Sequence, residues 1–379
     1  MSNIKNILIT GGAGFIGSNI AYKLYNKGYY VRILDNLSPQ IHGANPKFDE
    51  NLTKVAECIK GDVSNREDWI KALNNIDAVI HLAAETGTGQ SMYEIEHYCN
   101  VNIGGTALFM DILTNTKHTV KKVIVAASRA IYGEGMYKCD THGIVYPTER
   151  NTIDMNNGDF ECKCPICNSN VTLIPTTENT LIHPTSIYGI TKSVQEQLVM
   201  TTCKALNIPA ISYRYQNVYG PGQSLSNPYT GILSIFSTRI LNHKSINIFE
   251  DGNETRDFVF IDDVANATIA GLETDAANYE YFNVGSGIST TVNEIVNELQ
   301  AAYGINVETY ISGNYRIGDI RHNFADISKM ENLLNYKPTV DLKTGIKKFA
   351  DWVITQNVSN DGYESSLEEM QRKGLLINE

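Results

Sequence analysis

The chain lacks any stretch approaching the ~20 consecutive apolar residues that cross a bilayer, which excludes a helical membrane span. Positive charge is scarce as well: 31 Lys and Arg stand against 42 Asp and Glu, a formal charge of -11 over 379 residues. With no basic patch to neutralise a phosphate backbone, a nucleic-acid partner is not expected, and an anionic ligand must be met by a few placed arginines. No signal peptide precedes the first apolar run, so the expectation is a cytosolic protein. Internal repeats and low-complexity tracts are missing too. Of the seven cysteines, Cys58, Cys99 and Cys203 are scattered in helix or strand contexts and read as small buried hydrophobes, while the other four cluster. The length suffices for a full core and two lobes, which fits one large enzyme better than a binding module.

What is present is a repeated alternation. Apolar runs at 4–9, 31–34, 78–81 and 123–127 alternate with helical patterns. Continuous rather than alternating apolar strands are what a parallel sheet covered on both faces requires. The expected fold is therefore α/β, a doubly wound, Rossmann-like parallel sheet. A further strand at 210–215 and late returns to the same sheet at 258–261 and 281–284 complete it. Past residue 220 the chain becomes irregular and rich in Asn, Gly and Tyr, with helices near 233–241, 292–303 and 342–355. The spacing predicts a Rossmann domain from 1–137, 176–219 and 256–285, a cysteine-rich insert at 138–175, and a smaller discontinuous α/β substrate lobe from 220–255 and 286–379.

Directly after the first run stands Gly11-x-x-Gly14-Phe15-Ile16-Gly17, then an amphipathic stretch. In such a strand, turn and helix the first glycine permits the tight turn, the second lets backbone approach a pyrophosphate, and the third lets helix and strand pack closely. Asp35 ends the second strand, where a carboxylate accepts hydrogen bonds from the adenosine ribose diol and repels a 2′-phosphate. The cofactor is therefore expected to be NAD rather than NADP. Asp62 ends the next strand, where it either accepts from the adenine amino group or serves a turn or helix cap. Tyr188 and Lys192 stand four residues apart, which on a helix stacks phenol above ammonium and suits acid/base work on a carbinol.

These residues together resemble the extended branch of the short-chain dehydrogenase/reductase superfamily, the nucleotide-sugar epimerases and dehydratases. The resemblance covers nearly the whole chain. It is carried by Thr10 to Gly17, Asp35-Asn36-Leu37, Gly61-Asp62-Val63, His81-Leu82-Ala83-Ala84, Asn102-Ile103-Gly104-Gly105-Thr106, Ser128 to Gly133, Tyr188-x-x-x-Lys192 and Arg256-Asp257-Phe258-Val259. It implies catalysis by Ser128, Tyr188 and Lys192, with Asn36, Val63, Leu82, Ala83, Ala84 and Asn102 beside the cofactor. It implies a nucleotide-diphosphate sugar as substrate, with Asn217, Arg256 and Arg321 on the diphosphate and Thr86 and Arg129 near the sugar. A homodimer packed on helices like that of residues 186–206 also follows. For Arg256 and Arg321 the plainer alternative is an ion pair with Asp257 or Asp319.

After the site serine or threonine, 4,6-dehydratases of this kind carry an Asp-Glu pair and UDP-glucuronate decarboxylases a glutamate; here Arg129 and Ala130 follow Ser128. What remains is chemistry that Ser128, Tyr188, Lys192 and NAD perform alone: oxidation at C4, rotation of the 4-keto sugar and reduction on the other face. That is a 4-epimerase. The runs Asp35 to Gly43 and Thr86 to Ser91, with the cysteine insert, are similar to the bacterial dTDP-L-rhamnose 4-epimerase group. A release of oxidised or reduced sugar, or a non-catalytic NAD-binding role, stays in view, although the intact Ser128, Tyr188 and Lys192 argue against the latter.

In the insert, Cys139-x-x-His142 precedes Cys162-Lys163-Cys164-Pro165-Ile166-Cys167. Two such knuckles supply four ligands in tetrahedral geometry, and a cytosolic setting disfavours a disulfide. The expected set is Cys139, His142, Cys164 and Cys167 around a structural zinc, with Cys162 the rival of His142 and free thiols or an iron site the alternatives.

Overall fold

The computed structural model describes residues 4–43, 45–225, 227, 229, 231–356 and 362–377. Seven parallel strands form its central sheet: β1 (Asn6–Thr10), β2 (Tyr30–Asp35), β3 (Glu57–Lys60), β4 (Ala78–His81), β5 (Lys122–Ser128), β6 (Ala210–Tyr215) and β7 (Glu280–Val284). Their order is β7-β6-β5-β4-β1-β2-β3. The apolar runs form strands because both faces are covered. Ile7 and Ile9 pack with Ile20 and Leu24 on one side, while Leu8 between them packs with Trp69 and Phe109 on the other. The strand order reverses between β1 and β4, and the crevice beyond their carboxyl ends is where ligands of such sheets bind.

One expected strand does not belong to this sheet. Phe258–Phe260 pairs with Asn217–Tyr219 in a separate parallel ribbon. The place beside β6 is taken by β7, in register from Ile211–Glu280 to Tyr215–Val284. In addition, the fully buried Asp257 accepts backbone hydrogen bonds from Ser286 at 2.6 Å and Gly287 at 3.0 Å, which seats the segment beyond the sheet edge.

A second core gathers Ile240, Ile295, Phe349 and Phe258 under the helices Ile232–Leu241, Val292–Tyr303 and Leu342–Ile354, close to their expected limits. The insert carries its own three-stranded antiparallel sheet, with Tyr137–Cys139 central between Gly143–Val145 and Thr172–Leu173. The helix Tyr363–Arg372 and the strand Leu376–Ile377, which pairs with Tyr315–Arg316, were not anticipated. Among the described residues no helix is long and apolar enough to cross a membrane.

Candidate active site

The turn after β1 is shaped by what its glycines exclude. Gly11 has φ +65°, and a Cβ there would lie 2.9 Å from the backbone of Ala83. One on Gly17 would lie 2.5 Å from the carbonyl oxygen of Gly11, so the helix Phe15–Asn26 can approach the turn only without a side chain. Gly14 opens to a cavity of about 650 Å³ that runs along the carboxyl ends of the strands. Asp35 is buried at its rim, its carboxylate accepting from the backbone N–H of Ala13 at 3.0 Å and of Leu37 at 2.8 Å. This leaves further lone pairs for a diol. Phe15, Ile16, Asn36, Val63, Leu82, Ala83 and Ala84 line the same cavity.

Deeper in the cavity the residues expected to do the acid/base work, Ser128, Tyr188 and Lys192, converge. Ser186 caps the helix Ile187–Ala205, its Oγ accepting from the Gly189 N–H at 3.1 Å. A Cβ on Gly189 would lie 2.5 Å from the Ala130 carbonyl oxygen, so the helix presses on the turn that follows Ser128. That contact brings Tyr188 to Ser128, which ends β5 and is itself buried. The Tyr188 N–H donates to Ser91 Oγ at 3.0 Å, tying the helix to the loop through Thr86. The loop is anchored from below by the buried Tyr98, whose hydroxyl donates to the Thr86 carbonyl oxygen at 2.7 Å.

Burial raises the Tyr188 phenol above its ordinary value, and the Ser128 hydroxyl and then the Arg129 charge pull it down. The spacing had pointed to Lys192 for that role. Lys192 is itself lowered to about 7 by burial alone. A buried ammonium costs desolvation energy until an anion or a hydrogen-bonding ligand meets it.

Arginines gather at the other side of the cavity. Arg129, Arg256 and Arg316 line it together with Asn217 and Asp319. Arg256 forms no ion pair with Asp257; its guanidinium donates to the carbonyl oxygens of Thr255 at 2.8 Å, Arg321 at 2.9 Å and Ile320 at 2.7 Å. Arg129 is lowered to about 10, chiefly by burial and then by the facing charge of Arg256. Asp319 pairs with Arg316 at 2.8 Å. Arg129, Arg256 and Arg316 on one side of the cavity, with Asp319, Glu250 and Glu254 among them, supply guanidinium donors that an anion can meet.

Three residues expected at the ligands are not among those that line the cavity. Arg321 does not line the cavity: it is 1% exposed, and its guanidinium is saturated by Glu161, Glu250 and Asp251 at 2.7–3.0 Å. Asn102 lies behind the cavity wall, accepting from the Glu85 N–H at 2.8 Å and donating to Thr191 Oγ1 at 3.0 Å, and so positions the wall. Asp62 accepts from the Asn36 side chain at 3.0 Å and from the Ser64 N–H at 2.8 Å, the turn role weighed above. Conversely, Arg316, Glu250, Tyr363 and Met370 line the cavity without having been foreseen. The apolar spacing Tyr363, Leu367, Met370 was a readable helical stripe; nothing marked Arg316 or Glu250.

In the insert, Cys139, His142, Cys164 and Cys167 bring their ligand atoms within 4.8 Å of one another. His142 Nδ1 lies 3.6 Å from Cys139 Sγ and 3.5 Å from Cys164 Sγ, and Cys139 and Cys167 Sγ are 3.7 Å apart. Thiolates around a tetrahedral zinc stand about 3.8 Å apart, given Zn–S bonds of about 2.3 Å. Cys162 is not part of the cluster. It is buried beside Tyr137 Oη at 3.4 Å, and desolvation drives its thiol well above the usual range.

The NAD dependent epimerase/dehydratase family model matches residues 7–152 and 165–285, interrupted only inside the insert. The chain belongs to that family. It is similar to the dTDP-L-rhamnose 4-epimerase of Burkholderia thailandensis, with 38% identity over 355 residues, 93% of this chain and 96% of that protein. A putative UDP-glucose 4-epimerase of Methanocaldococcus jannaschii is 32% identical over 93% of this chain and 99% of its own length. Among solved structures, the UDP-glucose 4-epimerase of Thermotoga maritima with UDP-glucose has a TM-score of 0.74 at 30% identity, covering 92% of this chain and 98% of that one. The UDP-glucuronic acid 4-epimerase of Bacillus cereus, in complex with UDP-glucuronic acid and NAD, has a TM-score of 0.74 at 28% identity, covering 92% and 99%. This member of the epimerase/dehydratase family is an enzyme, built on the parallel sheet described above.

Proposed function

We propose that the protein is an NAD-dependent nucleotide-sugar 4-epimerase whose substrate is a dTDP-6-deoxyhexose such as dTDP-L-rhamnose. The observation that carries this is the convergence of Ser128, Tyr188 and Lys192 in one cavity with Arg129 and Ala130 next to Ser128, where elimination would need an added acid and base. The dTDP-sugar assignment is supported by the Burkholderia relative; UDP-sugar epimerases are similar as well.

The glycine turn and Asp35 fit NAD: Gly14 leaves backbone open to a pyrophosphate, and Asp35 keeps acceptor capacity at the rim. Bound there, NAD supplies the hydride acceptor and donor of the reaction. Tyr188 takes the proton from the sugar O4 and later returns it, with Ser128 holding the same oxygen. The Lys192 ammonium favours the phenolate, and the buried site excludes water from the 4-keto sugar. Arg256, Asn217 and Arg129 hold the diphosphate side, Thr86 borders the sugar, and the sugar turns between the two hydride steps.

The insert reads as a structural zinc knuckle, since all four tetrahedral positions are filled by Cys139, His142, Cys164 and Cys167. Residues 1–137, 176–219 and 256–285 act as the cofactor domain, and 220–255 with 286–379 as the sugar-nucleotide lobe. The helix Ile187–Ala205, with Ile190 exposed, is assigned to a homodimer interface.

Incubation with dTDP-L-rhamnose, then with UDP- and GDP-hexoses, is expected to yield the C4 epimer of one of them without net formation of NADH. Steady accumulation of NADH would mark an oxidoreductase instead. Asp35→Ala is expected to weaken NAD about ten-fold and to narrow the preference over NADP, because hydrogen bonds and charge repulsion are both lost. An unchanged affinity ratio for the two cofactors removes the assignment. Elemental analysis of protein purified without chelator is expected to find about one zinc per chain. Stoichiometric metal surviving in the Cys164→Ser/Cys167→Ser variant contradicts the ligand set.

A further inference from the structure

Glu250 stands in the cavity wall with a backbone φ of 49°, a left-handed conformation that a residue with a side chain holds only when its surroundings impose it. Its backbone N–H donates to the Asn314 carbonyl oxygen at 2.8 Å, and two buried arginines hold its carboxylate. Arg150 Nη2 donates to Glu250 Oε1 at 2.7 Å and Arg321 Nη1 to Oε2 at 2.9 Å. Arg150, its side chain 4% exposed, also donates to the carbonyl oxygens of Phe160 at 3.1 Å and Asp319 at 3.0 Å. Arg321 in turn donates to Glu161 Oε1 from Nε at 3.0 Å and from Nη2 at 2.7 Å. Arg150 and Glu161 belong to the insert; Glu250 and Asp319 line the cavity.

We infer that Arg150 and Glu161 make the insert a positioning element for the nucleotide end of the cavity, holding Glu250 and the Asp319 backbone where a nucleoside diphosphate binds. This rests on the reading of the cavity as a nucleotide-sugar site. Arg150 does not line the cavity and acts only through Glu250 and Asp319. The insert is thus more than an appended knuckle: its internal order is transmitted to the wall by charge-assisted hydrogen bonds, buried between Arg150 and Glu250 and half-exposed at Glu161. Removing one partner leaves the others buried and uncompensated, so the wall rearranges rather than merely loosening.

The test titrates dTDP and UDP into the full-length protein and its variants, with NAD affinity and melting temperature measured in parallel. Arg150→Met is expected to weaken the nucleoside diphosphate by about ten-fold or more while NAD stays within about two-fold. Arg150→Lys, which keeps one ion pair to Glu250 but not the carbonyl contacts, recovers part of the loss. Glu161→Gln, at a side chain 47% exposed, weakens the nucleotide about three-fold and folds normally. A folded Arg150→Met that binds dTDP and UDP as tightly as wild type overturns the inference, as does one that loses NAD in the same proportion. Should Arg150→Met not fold, unchanged nucleotide affinity in Glu161→Gln overturns it alone. A wild-type chain that binds NAD but neither dTDP nor UDP overturns both this inference and the reading beneath it.

Discussion

Tyr188→Phe is expected to lower turnover by about a thousand-fold while NAD remains bound, the range in which positioned proton transfer contributes. The substitution keeps the ring that packs against the turn after Ser128 and removes only the hydroxyl. Burial holds the phenol proton tightly, and Ser128 and Arg129 offset that hold without cancelling it. Lys192, lowered to about 7 by burial, stands one turn further along the same helix. Purified Tyr188→Phe turning over at the wild-type rate would remove the residue from the mechanism; unchanged NAD affinity distinguishes lost chemistry from lost structure.

The second large effect is on stability. Glu196 lies one turn beyond Lys192 on the same helix and accepts from Arg214 Nη2 at 2.7 Å and Nε at 2.9 Å, with both side chains at most 4% exposed. The guanidinium sits over the rings of Tyr132 at 5.1 Å and Tyr281 at 5.0 Å, so the pair bolts the helix Ile187–Ala205 to β6 and to the turn beyond Ser128. Glu196→Ala strands a buried cation and is expected to cost about 3–5 kcal/mol. Replacing both partners, as Glu196→Leu with Arg214→Met, removes the charge along with its partner and is expected to recover most of that loss. Urea unfolding of the three proteins decides it. A single-variant loss below about 1 kcal/mol would show that the pair is solvated.

How much of this was legible in the sequence depends on whether a residue's role is set locally. Gly11, Gly14 and Gly17 were readable because turn, backbone approach and close helix packing each exclude a side chain, and the Cβ clashes confirm the first and third. Ser128 and Tyr188 were readable as motif positions. Their meeting depends on Gly189 against Ala130, a contact between segments that no local pattern shows. The cluster of Cys139, His142, Cys164 and Cys167 was readable by spacing, while the exclusion of Cys162 from it needed the burial of Cys162 against Tyr137. Arg321 was misplaced for a related reason: a motif arginine beside an aspartate could be assigned to a diphosphate or a neighbour, whereas its partners Glu161, Glu250 and Asp251 lie about 70 to 160 residues away in sequence. The strand at 258–260 was assigned to the main sheet on apolar character alone, which cannot tell a sheet edge already occupied by Glu280–Val284 from a free one.

The measurement that tests 4-epimerisation most directly follows the hydrogen on C4. With the accepted nucleotide sugar labelled by deuterium at C4, or unlabelled in deuterated water, proton and mass spectra report where that hydrogen goes. If Ser128, Tyr188 and Lys192 carry out an oxidation and a reduction at one carbon, the label stays on C4 of the inverted product and no solvent deuterium enters the sugar. A product one deuteron heavier in deuterated water, one lighter by a water, or a label found at C6 would contradict it.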